Sequence, residues 1–378
     1  MTIKEVAELA GVSNAAVSRY LNGGYLAEDK RERIREAIRE TGYTPSAQAR
    51  ALRTGSTRTV GVVVPKINSE SVSRITAGIG QVLRERGYQM LLASTDNHAE
   101  RELEYLDLFQ NHPVDGIVLA ATIVTPRHRA WLKAARVPVV VVGQRVRGAN
   151  CVYHDDAGAA RDLARVVVGL ARERADARRA GEGPALERPG RGAEDPASSA
   201  PSAAPASPTA PASPADPAPR IAYIGVTRED RAVGRARADG FVSGLESMGV
   251  ALPGELVHES DFSLEGGYRA ASDLLRSASS RDRIDFISCA TDTIAAGAIR
   301  AITERFGGLD APGTPGVSGF GDNVFLAAVT GGIPTVHFGY LTSGIKATQM
   351  LMGIIDGDTT VGMQLELGYR LVHCRERS

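Results

Sequence analysis

Continuous apolar runs recur along most of this chain, and they are the feature that most restricts its fold. TVGVVV, YQMLLA, GIVLAA and VPVVVVG follow one another in the first half, separated by segments of helical period. RIAYIGV, IDFISCA and GVSGF repeat the design later. Strands that are buried on both faces have this composition, because helices cover both sides of a parallel sheet. The sequence therefore predicts two α/β lobes, each with a parallel, Rossmann-like sheet between helices.

The first 40 residues have a different pattern, which predicts an all-α head of three short helices. Thr2 and Ser13 are suited to cap the first two helices, Gly11 is suited to end the first, and the third runs from about Glu28 to Glu40. The turn AGVS gives the first two helices the spacing of a helix-turn-helix. The residues expected to face inward are Val6, Leu9, Ala10, Ala16, Val17, Tyr20, Leu21, Ile34, Ala37 and Ile38.

The second helix of the head is the one expected to enter the major groove of DNA. If its apolar residues face inward, Asn14, Ala15 and Arg19 point outward near its beginning. Arg19 can make a bidentate contact to guanine, and Ser18 and Asn22 are placed to bond phosphates. Thr2 and Ser13 complete the DNA-binding residues expected in the head. An ordinary helical bundle is the alternative, but 40 residues alone make a marginal core.

Charge is distributed unevenly, although the whole chain is neutral. Positions 1–58 hold ten Lys and Arg against seven Asp and Glu, whereas the remainder holds 34 against 37. A weakly basic head on a weakly acidic body favours a polyanion, double-stranded DNA, as the partner of the head. On charge alone, a solvated surface is an equally good explanation.

Other features of the composition argue against several classes of protein. The chain starts without a signal-peptide pattern and has no apolar run of membrane-spanning length, so we expect a cytoplasmic protein with no membrane contact. Cys151, Cys289 and Cys374 lack paired spacing, so no disulfide framework and no metal site is expected. Neither lobe has G-x-G-x-x-G after its first strand, and the histidines lack catalytic spacing. We therefore expect no enzyme, no catalytic residue and no cofactor.

A stretch rich in proline and alanine interrupts the pattern. Residues 181–220 contain ten of the nineteen prolines. Such a segment cannot bury enough surface to offset the entropy of ordering, so the insertion 181–219 is predicted to be disordered. An inert linker is the favoured interpretation, and a tail that docks a partner is the alternative.

Two long motifs of the head resemble the LacI/GalR family of transcription regulators. They are TIKEVAELAGVSNAAVSRYLN and RERIREAIRETGYTPSAQARALRTGSTRTVGVVVP. VDGIVLAA, RADGF, CATDTIAAGAI and VSGFGDN extend the resemblance over nearly all of the chain except the insertion, and CVYHDD, IAYIG and CATDT resemble sucrose- and trehalose-type repressors of the family. The resemblance implies a homodimer that binds a palindromic operator. It also implies a body built like a periplasmic sugar-binding protein.

PSAQARALR, residues 45–53, consists mostly of good helix formers but is too short to fold alone in water. The resemblance identifies it as the hinge helix of the family, which orders when it pairs with its twin from the other subunit in the minor groove of the operator. There Leu52 would wedge between central base pairs, while Ala49 and Arg50 line the groove. A plain flexible linker is the alternative.

Polar residues just beyond the predicted strand ends are the candidates for binding an effector, because ligands of open α/β sheets bind at that edge. They are Lys66, Ser69, Glu70, Gln144 and Arg145 in the first lobe, and Arg237, Asp292, Phe320 and Asp322 in the second. The resemblance implies that Arg237 binds effector hydroxyl or carboxylate groups, that Asp292 accepts from a sugar hydroxyl and that Phe320 stacks on a sugar ring.

Structural explanations for some of these residues stay open. Arg145 and Asp322 could pair with each other, Asp292 could cap a helix, and Lys66 could be solvated. If Lys66, Arg145 and Arg237 converge, they would suit an anionic ligand. The resemblance to sucrose- and trehalose-type repressors implies a disaccharide or its phosphate, so the expected effector is a sugar or a sugar phosphate.

The expected function is a transcriptional repressor of carbohydrate-utilisation genes that a sugar or sugar-phosphate effector releases from its operator. A co-repressor-dependent catabolite regulator that binds a phosphocarrier protein is the alternative, and a solute-binding module is disfavoured by the basic head. The expected domains are a DNA-binding head (1–44), a hinge and linker (45–58) and a body (59–378), whose first lobe combines about 59–155 with 323–338 and whose second combines about 156–322 with 339–378.

Overall fold

The computed structural model describes residues 2–43, 55–112, 114–179, 218–277, 283–358 and 362–372. In these ranges the chain forms an all-α head followed by two α/β lobes with parallel sheets, as the sequence predicts. The hinge segment 45–53, Cys374 and nearly all of the insertion 181–219 lie outside the described residues. No helix in the described ranges is both long and apolar enough to cross a membrane.

The head consists of α1 (Ile3–Ala10), α2 (Asn14–Leu21) and α3 (Glu28–Thr41). Thr2 and Ser13 cap the first two helices, and Gly11 ends the first in a left-handed conformation with φ +63°. Val6 and Val17 are fully buried where the three helices meet. These features confirm the expected helices.

One inward residue of the head was expected wrongly. Leu9 is 51% exposed, and Ala7 is buried instead. Val6, Ala10 and Ala7 follow one another around the helix surface and form the buried face, whereas position 9 lies on the far side of Val6, outside that face. The apolar spacing correctly predicted a helix, but it placed Leu9 on the buried face, whereas Leu9 is exposed.

The first lobe contains a six-stranded parallel sheet in the order β11-β5-β4-β3-β1-β2. Its strands are β1 (Thr59–Val64), β2 (Gln89–Ser94), β3 (Gly116–Ala120), β4 (Val139–Val142), β5 (Asn150–His154) and β11 (Gln364–Leu367). Its helices are α4 (Glu70–Glu85), α5 (Ala99–Asn111), α6 (Pro126–Ala134) and α12 (Tyr340–Ile355). The run in β2 was expected to be buried on both faces, but Met90, Leu91 and Leu92 are exposed because β2 is an edge strand.

The second lobe has a four-stranded parallel sheet in the order β7-β6-β8-β9. Its strands are β6 (Ile221–Gly225), β7 (Val257–Glu259), β8 (Phe286–Cys289) and β9 (Gly316–Ser318). Its helices are α7 (Asp156–Arg179), α8 (Arg237–Ser247), α9 (Leu264–Ser277), α10 (Asp292–Phe306) and α11 (Val324–Thr330), together with a π-helix (Arg231–Ala236) and a 3₁₀ turn (Gly254–Leu256). A separate antiparallel pair, β10 (Thr335–Phe338) with β12 (Tyr369–Val372), completes the body.

The lobe assignment of the last third of the chain differs from the expectation. Helix α11, within the segment expected in the first lobe, packs through Leu326 on the core of the second. Helix α12 and strand β11, expected in the second lobe, belong to the first, where α12 packs on α4 and β11 pairs with β5. The expected assignment was therefore wrong for 323–338 and for α12 and β11 within 339–378, whereas β12 packs on the second lobe as expected. Strand pairing between segments far apart in sequence leaves no local signal.

The packing of α12 on α4 brings two backbones into contact. A Cβ atom on Gly78 would lie 2.1 Å from the Leu341 carbonyl oxygen, and one on Gly344 would lie 2.0 Å from the Ile75 carbonyl oxygen. Only glycine allows this approach at both positions. The two glycines thereby fix how closely the last helix lies against the first lobe.

Candidate functional site

The second helix of the head presents a polar surface on one side. The Ser13 hydroxyl accepts a hydrogen bond from the Ala16 amide at 3.2 Å, which caps the helix. Asn14, Ala15 and Arg19 are all exposed. Asn14 and Ala15 lie in the first turn of the helix and Arg19 in its last turn, so all three are accessible on its surface, and their contact with bases stays a prediction.

The turn that follows this helix shapes the surroundings of Arg19. The Gly24 amide donates to the Arg19 carbonyl at 2.9 Å, and Gly23 has φ +69°. A Cβ on Gly24 would lie 2.6 Å from the Cγ of Arg19, so the glycine leaves space for this side chain. The Asn22 side-chain amide donates to the Ser18 carbonyl. Both of these residues thus lie at the C-terminal end of the helix.

Two further candidates lie at helix N-termini of the head. Thr2 and Glu5 form a reciprocal capping box, in which the Thr2 amide donates to Glu5 Oε2 at 2.9 Å. Thr2 and Ser13 are both exposed and lie at the N-termini of α1 and α2. Such helix N-termini attract phosphate groups, so their placement is compatible with backbone contacts to DNA.

The Asp115 carboxylate binds several residues of the linker that leads into the body. Asp115 accepts hydrogen bonds from the Thr57 amide at 2.7 Å, the Thr57 hydroxyl at 2.8 Å, the Arg58 amide at 3.0 Å and the Ser56 hydroxyl. Burial opposes its ionisation, but these hydrogen bonds hold the pKa of Asp115 below its usual range. The linker is thus attached directly to the first lobe. Ala49, Arg50 and Leu52 of the hinge segment lie outside the described residues.

A cleft of about 160 Å³ lies between the two lobes. Seven of the nine candidate effector residues line it, namely Lys66, Ser69, Glu70, Gln144, Arg237, Asp292 and Phe320. They come from the carboxyl ends of strands in both lobes, as the topology of open α/β sheets predicts. Arg145 and Asp322 are not among its lining residues.

Those two residues have other partners. Arg145 is exposed and its guanidinium lies 5.7 Å from the centre of the Tyr153 ring. The Asp322 carboxylate lies 2.7 Å from Nδ1 of His337. The alternative that Arg145 pairs with Asp322 is therefore not what the structure contains.

Arg237 and Asp156 form a buried ion pair in the cleft. Nε of Arg237 donates to Asp156 Oδ1 at 2.7 Å, and the two side chains are only 5% and 6% exposed. Burial opposes the charge on Arg237, but the Asp156 carboxylate raises its pKa above the ordinary value. Nη1 donates to the Ala290 carbonyl at 2.7 Å, and the guanidinium lies 4.7 Å from the centre of the Phe320 ring. This arginine is thus held in position by contacts with the protein itself.

Asp292 lies at the beginning of α10, where Thr291 and not Asp292 caps the helix. Its carboxylate accepts from the Thr335 hydroxyl at 2.7 Å and from the Asn323 amide at 2.8 Å. Burial raises the pKa of Asp292 above its ordinary value. Because Asn323 caps α11, this carboxylate links the cleft to that helix.

Hydrogen bonds join the two lobes across the cleft. Lys66 Nζ of the first lobe donates to the Phe262 carbonyl of the second at 2.5 Å. Gln144 Nε2 of the first lobe donates to Asp230 Oδ1 of the second at 2.9 Å. Burial lowers the pKa of Lys66, which weakens its preference for the charged form. The lobes are therefore closed on each other by side chains that line the ligand space.

Asp230 was missed by the sequence analysis. Its Oδ1 accepts from the Ala232 and Val233 amides at 3.0 and 2.9 Å and so caps the π-helix. The residue is 1% exposed, and burial raises the pKa of its carboxyl group. An aspartate at this position could have been predicted to cap a helix. However, nothing in the sequence indicated that this helix would be a π-helix facing the cleft. Gly234 allows the π-helix to form, because a Cβ there would lie 1.9 Å from the Thr227 carbonyl oxygen.

Comparison with known proteins agrees with both parts of the molecule. Residues 2–46 match the model of bacterial regulatory proteins of the lacI family. Residues 57–181 match the periplasmic binding proteins and sugar binding domain of the LacI family, and residues 218–373 match a periplasmic binding protein-like domain. Head and cleft together define a transcription regulator with a body of the periplasmic-binding-protein type. The chain belongs to the LacI family.

Individual relatives are named as transcription regulators. The chain is 36% identical over 154 residues to the sucrose operon repressor of Staphylococcus xylosus, a match that covers 41% of this chain and about half (48%) of that protein. It is 29% identical over 325 residues to the HTH-type transcriptional repressor PurR of Glaesserella parasuis serovar 5 (strain SH0165), covering 85% and 80% of the two chains. The lac repressor dimer bound to operator and the anti-inducer ONPF shares the fold, with a TM-score of 0.73, 19% identity and coverage of 98% and 97%.

Proposed function

We propose that this protein is a sugar-responsive repressor that binds a palindromic operator as a homodimer. The observation that carries the proposal is the combination, in one chain, of an exposed recognition helix and a closed cleft lined by polar side chains of both lobes. A head alone would support DNA binding only, and a cleft alone would equally suit a solute-binding module. The similarity to a sucrose operon repressor favours a sugar as the effector.

The attachment of the linker to the first lobe couples effector binding in the body to the DNA-binding head. Asp115 ties Ser56, Thr57 and Arg58 to the first lobe, so any displacement of this lobe moves the chain that leads to the head. An effector that contacts both lobes changes their relative position, because it binds one arrangement better than the other. Separation of the two hinge segments in a dimer would then release the operator. The minor-groove contacts of Ala49, Arg50 and Leu52 stay a prediction.

Exposed apolar side chains of the body form the proposed dimer surface. Phe325 and Val329 on α11 are each 80% exposed, and Leu91 and Leu92 are exposed on the edge strand β2. Arg74 on α4 donates to the Asp322 carbonyl just before α11, which connects α11 to the first lobe that contains β2. Exposed apolar surface is typical of interfaces between protein chains. Dimerisation gives the protein the two heads that a palindrome requires.

Phe325→Asp is expected to convert the dimer into a monomer, because it places a charge in the centre of this surface. Sedimentation velocity measures the change, and operator affinity should fall with it. Val257→Asp is the matched control, since Val257 is exposed on β7, an edge strand of the second-lobe sheet that is not part of this surface. A Phe325→Asp protein that stays dimeric would contradict the assignment of this surface.

Arg19→Ala is expected to weaken specific operator binding by about ten- to a hundredfold, the effect of losing one bidentate base contact. Binding to unrelated DNA should change much less, because phosphate contacts supply most of it. Fluorescence anisotropy at fixed salt measures both affinities. Arg39→Ala removes the same charge from the exposed surface of α3 and serves as the control. Equal losses in the two variants would show that Arg19 acts only through charge.

Selection of bound DNA from a random pool, with and without added sugars, tests the whole proposal. We expect one palindromic sequence to be enriched and to be lost when the effector sugar is present. Enrichment of no sequence would contradict a sequence-specific regulator. A palindrome that appears only when a phosphocarrier protein is added would favour the co-repressor alternative.

A further inference from the structure

The charges that face the cleft indicate which kind of effector it can bind. This inference rests on the proposed sugar-binding function. Within the described part of the chain, the lining holds four carboxylates but only two cationic side chains, Lys66 and Arg237. The carboxylates are Glu70, Asp156, Asp230 and Asp292. His154 also lines the cleft, but burial lowers its pKa to about 4, so it is neutral at pH 7. The lining is therefore negative overall.

Neither cation is available to bind a phosphate. The positive charge of Arg237 is paired with the Asp156 carboxylate. Two nitrogens of its guanidinium donate hydrogen bonds, one to Asp156 and one to the Ala290 carbonyl. Lys66 donates to the Phe262 carbonyl and is partly buried. A phosphate group carries close to two negative charges at neutral pH. It would enter a space whose cations are already engaged and whose remaining carboxylates repel it.

Two carboxylate oxygens of the cleft lack any partner. Asp230 Oδ2 and Glu70 Oε2 are buried, and neither accepts a hydrogen bond from the described residues. The other oxygen of each carboxylate is satisfied, by Gln144 for Asp230 and by Arg74 for Glu70. An ionised carboxylate can only accept hydrogen bonds, so each free oxygen requires a donor from outside the protein. Leaving such a group unsatisfied is unfavourable, which makes these oxygens points of ligand contact.

Hydroxyl groups of a ligand can supply the hydrogen-bond donors that these two carboxylate oxygens require. A sugar ring offers several O–H donors without adding negative charge, and the apolar side chains of Val72, Phe262 and Phe320 line the same space. The cleft volume corresponds to about ten water molecules, which suits one sugar ring with its hydroxyls. We infer that the cleft binds an uncharged sugar whose hydroxyls donate to Asp230 and Glu70, and that it excludes phosphorylated sugars.

The test compares matched pairs of ligands by isothermal titration calorimetry on the full-length chain. The pairs are sucrose with sucrose 6-phosphate, trehalose with trehalose 6-phosphate, and glucose with glucose 6-phosphate. We expect one uncharged sugar to bind and its phosphorylated partner to bind at least about tenfold more weakly, the factor that one lost hydrogen bond to a charged group produces. Equal or tighter binding of the phosphorylated member would overturn the inference while leaving a sugar-responsive regulator intact. Binding of no sugar in either form would overturn the inference and the proposed effector function together.

Asp230→Asn tests whether the Asp230 carboxylate is responsible for the binding of the uncharged sugar. The asparagine oxygen can still cap the π-helix, but the free acceptor with its negative charge is gone. Affinity for the uncharged sugar should fall by about ten- to a hundredfold, and the discrimination against the phosphorylated sugar should narrow. Asp273→Asn removes the same charge from an exposed acid on α9 that is not among the lining residues, and it should leave sugar affinity unchanged.

Operator binding without sugar shows whether each variant is folded. If Asp230→Asn fails to bind the operator, Glu70→Gln makes the same test at the second carboxylate. Unchanged sugar affinity in a folded Asp230→Asn or Glu70→Gln protein would contradict the role of that carboxylate.

Discussion

Arg237→Met is expected to lower the free energy of unfolding by about 3 kcal/mol, because it leaves the Asp156 carboxylate buried without its charge partner. Both side chains are almost fully enclosed and their hydrogen bond is 2.7 Å long. Methionine keeps much of the length and apolar contact of the arginine, so the loss is chiefly electrostatic. Urea unfolding at pH 7, followed by circular dichroism, measures the change.

The double variant Arg237→Met/Asp156→Leu separates charge from packing. Removal of both partners eliminates the unpaired carboxylate, and replacing a buried ion pair with apolar residues is often close to neutral. We therefore expect the double variant to regain most of the lost stability. A double variant as unstable as Arg237→Met would show that packing of the arginine, including its contact with the Phe320 ring, dominates.

Gly344→Ala is expected to lower the stability of the first lobe by about 3 kcal/mol, at the upper end of the usual effect of overpacking. Its Cβ would lie 2.0 Å from the Ile75 carbonyl oxygen, and backbone cannot move aside as a flexible side chain can. Helices α4 and α12 would have to separate. The only tryptophan, Trp131, is on α6 of the same lobe, so its fluorescence reports the unfolding of this lobe in urea.

Gly80→Ala is the matched control on α4 of the same lobe, where a Cβ would meet only the Met90 Cε, at an ordinary distance of 3.9 Å. There the substitution should raise stability by about 0.5–1 kcal/mol, because alanine restricts the unfolded chain and favours the helix. Stabilisation by both substitutions would contradict the close backbone contact at Gly344.

Local features of the head were predictable from sequence because each rests on a few adjacent residues. Thr2 and Ser13 cap the helices that were expected to follow them, and Gly11 ends the first. Leu9 shows the limit of this reasoning, since a helical spacing identifies a helix more securely than the face that each residue occupies. The third helix, which determines that face, packs from a distant part of the head.

The cleft was predictable in part for a similar reason. Residues that follow strands of a parallel sheet lie at one edge, and this rule placed Lys66, Gln144 and Arg237 in a common space. It failed to distinguish Arg145, which is adjacent to Gln144 but exposed on the other side of the loop. It also missed Asp230, whose importance depends on a π-helix that faces the opposite lobe.

The sequence by itself determined the helical head, the two parallel α/β lobes and the family, because helix caps, apolar runs and sequence motifs each consist of contiguous residues. Only the tertiary structure decided which lobe contains α12 and β11, since strand pairing joins segments that are far apart in the chain. It alone also decided the charge balance of the cleft. Whether Arg237 is free for a ligand depends on the 2.7 Å contact with Asp156, and whether Asp230 has an unsatisfied oxygen depends on every neighbour that surrounds it.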